Sequence, residues 1–99
     1  MNKRKLAKDR RDEIVSVALA LAVTHGYARV TREAVATRVN VTPQAIQHHI
    51  GTMAALRRDL MRRAIECECL PVIAQGMANR DEHALKAPPE LQARARAAL

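Results

Sequence analysis

The chain must build its core almost without aromatic rings, for it has one tyrosine and neither phenylalanine nor tryptophan. Leucine, isoleucine, valine, methionine and alanine are left to fill the interior. Alternating apolar and polar stretches are hard to find, so packed helices suit the composition better than a sheet. Alanine and leucine, both strong helix formers, dominate the apolar set. Glycine and proline are few and sit where elements would end. A length of 99 residues gives room for one domain. The expected fold class is all-α, with about five or six helices of ordinary length.

Charge divides the chain unevenly. Residues 1–65 carry 13 Lys and Arg against 5 Asp and Glu, whereas residues 66–99 carry 4 against 5. A positive field confined to one part suggests a polyanionic partner for that part alone. No apolar run is long enough to span a bilayer, and the charged N-terminus is not followed by an apolar signal core. The expected setting is a reducing cytosol. The cysteines agree with it: Cys67 and Cys69 are separated by one residue, which points them to different faces of a helix and disfavours a bridge.

The organisation reads as three parts. Residues 1–8 form a basic arm, residues 9–65 a compact domain, and residues 66–99 a helical tail suited to dimerisation or to covering the first and fourth helices. A first helix is expected from Asp9 to His25, with Ile14, Val17, Ala18, Leu21 and Ala22 on one apolar stripe. Asp9, Asp12 and Glu13 near its start favour the positive end of the helix dipole. Gly26 can end it in the left-handed conformation. Val30 can fold back as a staple, and Thr31 caps a short second helix running to about Arg38. Asn40 sits where the chain must turn sharply, a position that asparagine tolerates better than most residues. Val41 plugs the turn.

Thr42 is a second cap, with Pro43 at the first helical position, and a third helix runs to Ile50 before Gly51. Thr52 caps a fourth helix with Met53, Leu56, Leu60, Ala64 and Cys67 on one stripe. Its other side shows Arg57, Arg58, Arg62 and Arg63, and Pro71 ends or kinks it. A short helix weakened by Gly76 follows over residues 72–78. A last helix starts after Pro88 and Pro89.

Residues 31–50 thus read as two short capped helices meeting at Asn40, with Val35, Val39, Val41, Ile46 and Ile50 locking the pair and small Ala36 at the crossing. Together with His25-Gly26-Tyr27 and the apolar first helix, this stretch resembles the N-terminal DNA-binding domain of the TetR family of bacterial transcriptional regulators. Val39-Asn40-Val41-Thr42 stands at the family's Ala-Gly-Val-Ser position. Gln47-His48-His49-Ile50 stands at its Tyr-x-His-Phe-like position. The resemblance covers about Glu13 to Ile65 and departs from the family in two places. Gln47 replaces a tyrosine and Met53 a lysine, both of which usually meet phosphate. The basic arm and the arginines of the fourth helix can compensate.

The resemblance implies that the third helix enters the major groove with Thr42, Pro43, Gln44, Gln47 and His48 facing double-stranded DNA. Gln44 or Gln47 would pair with adenine and Pro43 would touch a thymine methyl. Thr31 would hold a phosphate or serve only as a local cap. Lys3, Arg4 and Lys5 would reach the minor groove or backbone, or remain a solvated tail. Family members usually carry an additional ligand-binding domain of more than a hundred residues, and the stretch after Ile65 is too short for an enclosed pocket. The expectation is therefore a homodimeric repressor on an inverted-repeat operator, without a small-molecule ligand or cofactor. Two alternatives stand beside it: an interaction protein that uses the same fold to bind or antagonise another regulator, and a non-specific nucleic-acid binder.

Nothing in the sequence points to catalysis. There is no glycine-rich phosphate loop and no nucleophile elbow. His48 and His49 are adjacent, so their side chains are expected to diverge. Cys67-x-Cys69 lacks a second ligand pair at zinc-site spacing, and Cys67 is expected to pack as a small apolar residue. His25 and Tyr27, at a helix end, are expected to pack or cap.

Overall fold

A computed structural model describes residues 7–98, and nearly all of that backbone is helical. Helix α1 (Ala7–His25) leads through a 3-10 turn (Tyr27–Arg29) into α2 (Arg32–Val39), α3 (Pro43–Ile50) and α4 (Met53–Glu66). Then come α5 (Leu70–Ala78), α6 (Glu82–Leu85) and α7 (Pro89–Ala97). The fold class is all-α, as composition implies. The described residues hold seven α-helices, more than the sequence suggested. The additional one is α6, a single turn created by Asp81, whose Oδ1 accepts from the backbone N–H groups of His83 and Ala84 at 2.9 Å each. No described helix is long and apolar enough to cross a membrane.

The core forms around α1, which packs on α4, α2 and α3 and also touches α5. Its inward stripe is Ile14, Ala18, Leu21 and Ala22, all buried, while Val17 is only partly covered. Leu56, Leu60, Met61 and Ala64 come from α4, and Val72, Ile73 and Ala74 from α5. Leu91 and Ala95 of α7 close the far side, and all these residues belong to one continuous cluster. Full burial of a leucine or isoleucine stabilises by roughly 1.5–3 kcal/mol, so Ile14, Leu56, Leu60 and Ile73 supply much of the cohesion. Alanines between them let the helix axes approach closely.

Two features of α4 differ from the sequence reading. Cys67 is not on the buried stripe; it lies exposed at the helix C-terminus, and Met61 occupies the interior instead. Nor does Pro71 end α4. The helix stops because Glu68 adopts the left-handed conformation (φ 55°), with Cys69 N–H donating to Ala64 O at 2.8 Å and Glu68 N–H to Ile65 O at 3.2 Å. This pair of bonds satisfies carbonyls that the last turn leaves open. Pro71 instead lies in the first turn of α5, where its missing N–H costs nothing. The same closure recurs after α5, with Arg80 at φ 59° and Asp81 N–H donating to Gly76 O at 2.8 Å.

Gly76 has a packing reason. It is buried, and a Cβ there would collide with Cε of Met61 and come within 3.0 Å of the Ala84 Cβ. The missing side chain is what lets α4, α5 and α6 meet.

Tyr27 supplies the only ring of the core, buried at the junction of α1 and α2. It packs, as its place at a helix end suggests, and it also reaches across the sequence. Its hydroxyl donates to Asp81 Oδ2 at 2.5 Å, and its backbone N–H donates to Gln75 Oε1 at 2.5 Å. Burial pushes the phenol above its ordinary value of 10.0, and the Asp81 carboxylate acts in the same direction.

Two outcomes follow from this packing. Gly76→Val should lower the unfolding free energy by about 1–3 kcal/mol through overpacking, read from urea denaturation. The phenol ionises more readily in the unfolded chain than in the folded one, so its stabilising contribution is complete below pH 10 and is lost as pH rises beyond it. The stability gap between the wild type and Tyr27→Phe should therefore be constant from pH 7 to 9 and shrink above about pH 10.

Candidate nucleic-acid interface

Three threonines open the three helices after the first turn. Thr31, Thr42 and Thr52 accept from the N–H groups of Ala34, Ala45 and Ala55, each at 3.1 Å. These caps define where α2, α3 and α4 begin and hold each first turn in place. Between α2 and α3 the chain turns at Asn40, which is left-handed at φ 66° and ψ 48°, and Val41 N–H closes the turn on Ala36 O at 3.0 Å. Ala36 and Val39 are buried in this corner with Val35. Val30 is buried in front of α2, as a staple would be.

Within this frame α3 is sharply two-sided. Ile46 is buried and Ile50 partly so, while Thr42, Gln44, Gln47 and His48 are exposed. Gln44, Gln47 and His48 follow i, i+3, i+4 spacing and so share one outward face. Pro43 is half-buried at the helix start. The structure therefore brings four of the candidate residues onto one short helix with Thr42 as its cap, and Thr31 caps the neighbouring one. Lys3, Arg4 and Lys5 lie outside the described residues.

The two histidines do not diverge as expected. Their rings meet edge to face, with centroids 5.4 Å apart. Adjacent residues on a helix point apart at Cβ, but an imidazole is long enough to lean back on its neighbour. Among the described residues no three His, Cys, Asp or Glu side chains gather in a way that could hold a metal ion.

The exposed face of α3 carries no lysine or arginine, so the positive field comes from its surroundings. The four arginines of α4 divide into two groups. Arg57 lines a cleft between the starts of α2 and α4 together with Thr31, Arg32 and Met53. Arg58, Arg62 and Arg63 instead line a groove between α1 and α4. There Arg58 binds Asp59 at 3.0 Å, and Arg63 reaches Ser16 Oγ at 3.0 Å and Asp12 at 3.7 Å. Among the described residues Arg29, Arg32, Arg38 and Arg57 make no ion pair. A cation without an internal partner keeps its full charge for an external anion.

Arg57 is thus a candidate that sequence reasoning placed only within a group of four. It sits one turn after Met53, the position where a lysine is missing, and opens onto the same cleft. Helical spacing from Met53 could have singled it out, since residues four apart lie one above the other.

Asn40 provides a direct test of the turn. Glycine has no penalty in the left-handed region, whereas alanine loses about 1–2 kcal/mol there. Asn40→Ala should destabilise the chain by about 1 kcal/mol in thermal or urea unfolding, while Asn40→Gly should leave it unchanged or slightly more stable.

Residues 14–60 match the model of a family described as bacterial regulatory proteins, tetR family. The matched stretch runs from α1 into α4 and contains both the turn at Asn40 and the whole of α3. No curated protein and no solved structure matches the chain.

Proposed function

Residues 14–60 being a TetR-family helix-turn-helix domain of DNA-binding transcriptional regulators, we propose that the chain is a sequence-specific repressor that binds an inverted-repeat operator as a homodimer. The observation that carries this reading is the two-sided α3. Its inner face is locked on α1 and α2, and its outer face presents Gln44, Gln47 and His48, all exposed. Glutamine can pair with adenine through two hydrogen bonds in the major groove. Thr42 and Pro43 lie at the end of α3 that would lead into the groove.

Grip and reading fall to different residues. The cleft of Thr31, Arg32 and Arg57, which Glu33 also lines, would take a backbone phosphate on its two arginines, while Arg29 and Arg38 line a separate cleft between the end of α1 and α2. Phosphate contacts fix register and much of the affinity, and base contacts fix sequence. The homodimer would form through α5 to α7, of which α5 packs on α4 and α1, α6 on α4 and α5, and α7 on α5, and where Leu85 is 48 % exposed. A two-fold pair of this kind asks for two half-sites about one helical turn apart. The protein would act in the cytoplasm, at the nucleoid.

Selection of bound duplexes from a random pool, at two salt concentrations, tests the reading. An inverted repeat should survive the higher salt. Recovery of unenriched DNA at low salt only would leave electrostatic attraction alone, and a protein partner would become the better reading. On the selected site, Gln44→Ala should relax preference at one base pair by about 1–3 kcal/mol. Arg57→Ala should weaken all sequences alike and reduce the salt slope by about one. Arg58→Ala, already neutralised by Asp59, should change binding much less.

A further inference from the structure

The 3-10 turn between α1 and α2 does not set its own orientation. It is a single turn, with internal bonds from Arg29 N–H to Gly26 O at 3.0 Å and from Val30 N–H to Tyr27 O at 3.4 Å. It enters from Gly26 at φ 105° and ψ 147°, a region that only glycine occupies readily and not the left-handed stop expected of it. What fixes the turn comes from residues far along the chain. Gln75 of α5 holds the Tyr27 N–H, and Asp81 holds the Tyr27 hydroxyl. Asp81 is itself rigid, since its other oxygen caps α6 through His83 and Ala84. Beyond the turn lie Val30, buried, and Thr31, the cap of α2. Arg57, which opens onto the cleft beside Thr31, also lies close enough to Tyr27 for its charge to act on the phenol.

We infer that Gln75 and Asp81 are positioning residues for DNA binding: through Tyr27 they hold the α1–α2 junction, and with it the start of α2 and its phosphate-facing cleft, in the arrangement that docking uses. The inference rests on the DNA-binding reading above and assigns the tail a part in it. The tail is then a brace for the reading unit, and whatever loosens α5 or α6 is felt at Thr31. Two part-buried polar contacts are suited to this task, because they are directional where apolar packing is not.

Tyr27→Phe removes the hydroxyl and keeps the ring. Asp81→Asn keeps an acceptor for the α6 cap, and its amide can donate to the phenol oxygen. Both are compared with the wild type well below their melting temperatures, by affinity for the selected duplex and by amide hydrogen exchange. Tyr27→Phe should bind about three- to tenfold more weakly, a coupling of ordinary size for a residue that touches neither ligand. Exchange at Ala34 and Val35, the amides closed by Thr31, should rise more than exchange in α4. Asp81→Asn should stay near the wild type in both.

Unchanged affinity of Tyr27→Phe, with exchange raised evenly through all helices, would overturn the inference and leave the contact a purely stabilising one. If the wild type bound no duplex, the DNA-binding reading would fail and the docking part of the inference with it. Exchange at Ala34 and Val35 would then still decide whether the tail positions α2.

Discussion

The packing of α1 on α4 is the interaction on which the rest of the structure depends. Without phenylalanine or tryptophan, volume cannot be filled by a few large rings. The helices must come close, and they do so where alanines replace bulk: Ala18 and Ala22 on α1, Ala36 on α2, Ala64 on α4, Ala84 on α6 and Ala95 on α7 are all buried. Gly76 takes the same solution to its limit. Cohesion then comes from many small aliphatic contacts, each individually weak and collectively large. Such a core tolerates little added volume, because close-packed interiors transmit a clash to their neighbours.

That arrangement also explains why the tail and the helix-turn-helix are not separable in structure. Val72, Ile73 and Ala74 cover α4 and α1, and Leu91 and Ala95 cover α5, all within one cluster. A short α2–α3 pair has little interior of its own. Its inner faces are Val35, Ala36, Val39 and Ile46, and they gain their partners from α1. The tail thickens the layer behind that scaffold and reaches around it at Tyr27. The outer face of α3 is left clear, and Arg32, Arg38 and Arg57 lie on the neighbouring helices rather than upon it.

Much of this was legible in the residues, and what was legible was local. The caps at Thr31, Thr42 and Thr52, the turn at Asn40 and the start of the last helix at Pro89 each depend on a residue acting within its own turn of chain. The apolar stripe of α1 could be read because its period is long and regular. What escaped is of two kinds. Glu68 and Arg80 end helices in the left-handed conformation without being glycine or asparagine, so no residue type announces the stop. Tertiary packing and the two closing hydrogen bonds override their preference. The bond from Tyr27 to Asp81 joins residues 54 positions apart, and no periodicity records such a pair. On α4 the apolar stripe stops short of Cys67, where the helix has ended, and Met61 turns inward because α5 and α6 cover that side. The separation of Arg57 from Arg58 likewise depends on which neighbour each helix face meets.

The outward face of α3 has a consequence for how such a protein changes over generations. Gln44, Gln47 and His48 hold no cap, fill no core position and neutralise no carboxylate. Substitutions at such exposed positions usually move stability by less than about half a kcal/mol. Variation there is nearly free of folding constraint, and the charged rim that would hold the backbone lies on other helices. On the proposed reading, a lineage could therefore explore new target sequences through three positions while keeping its fold, so that specificity would drift faster than architecture.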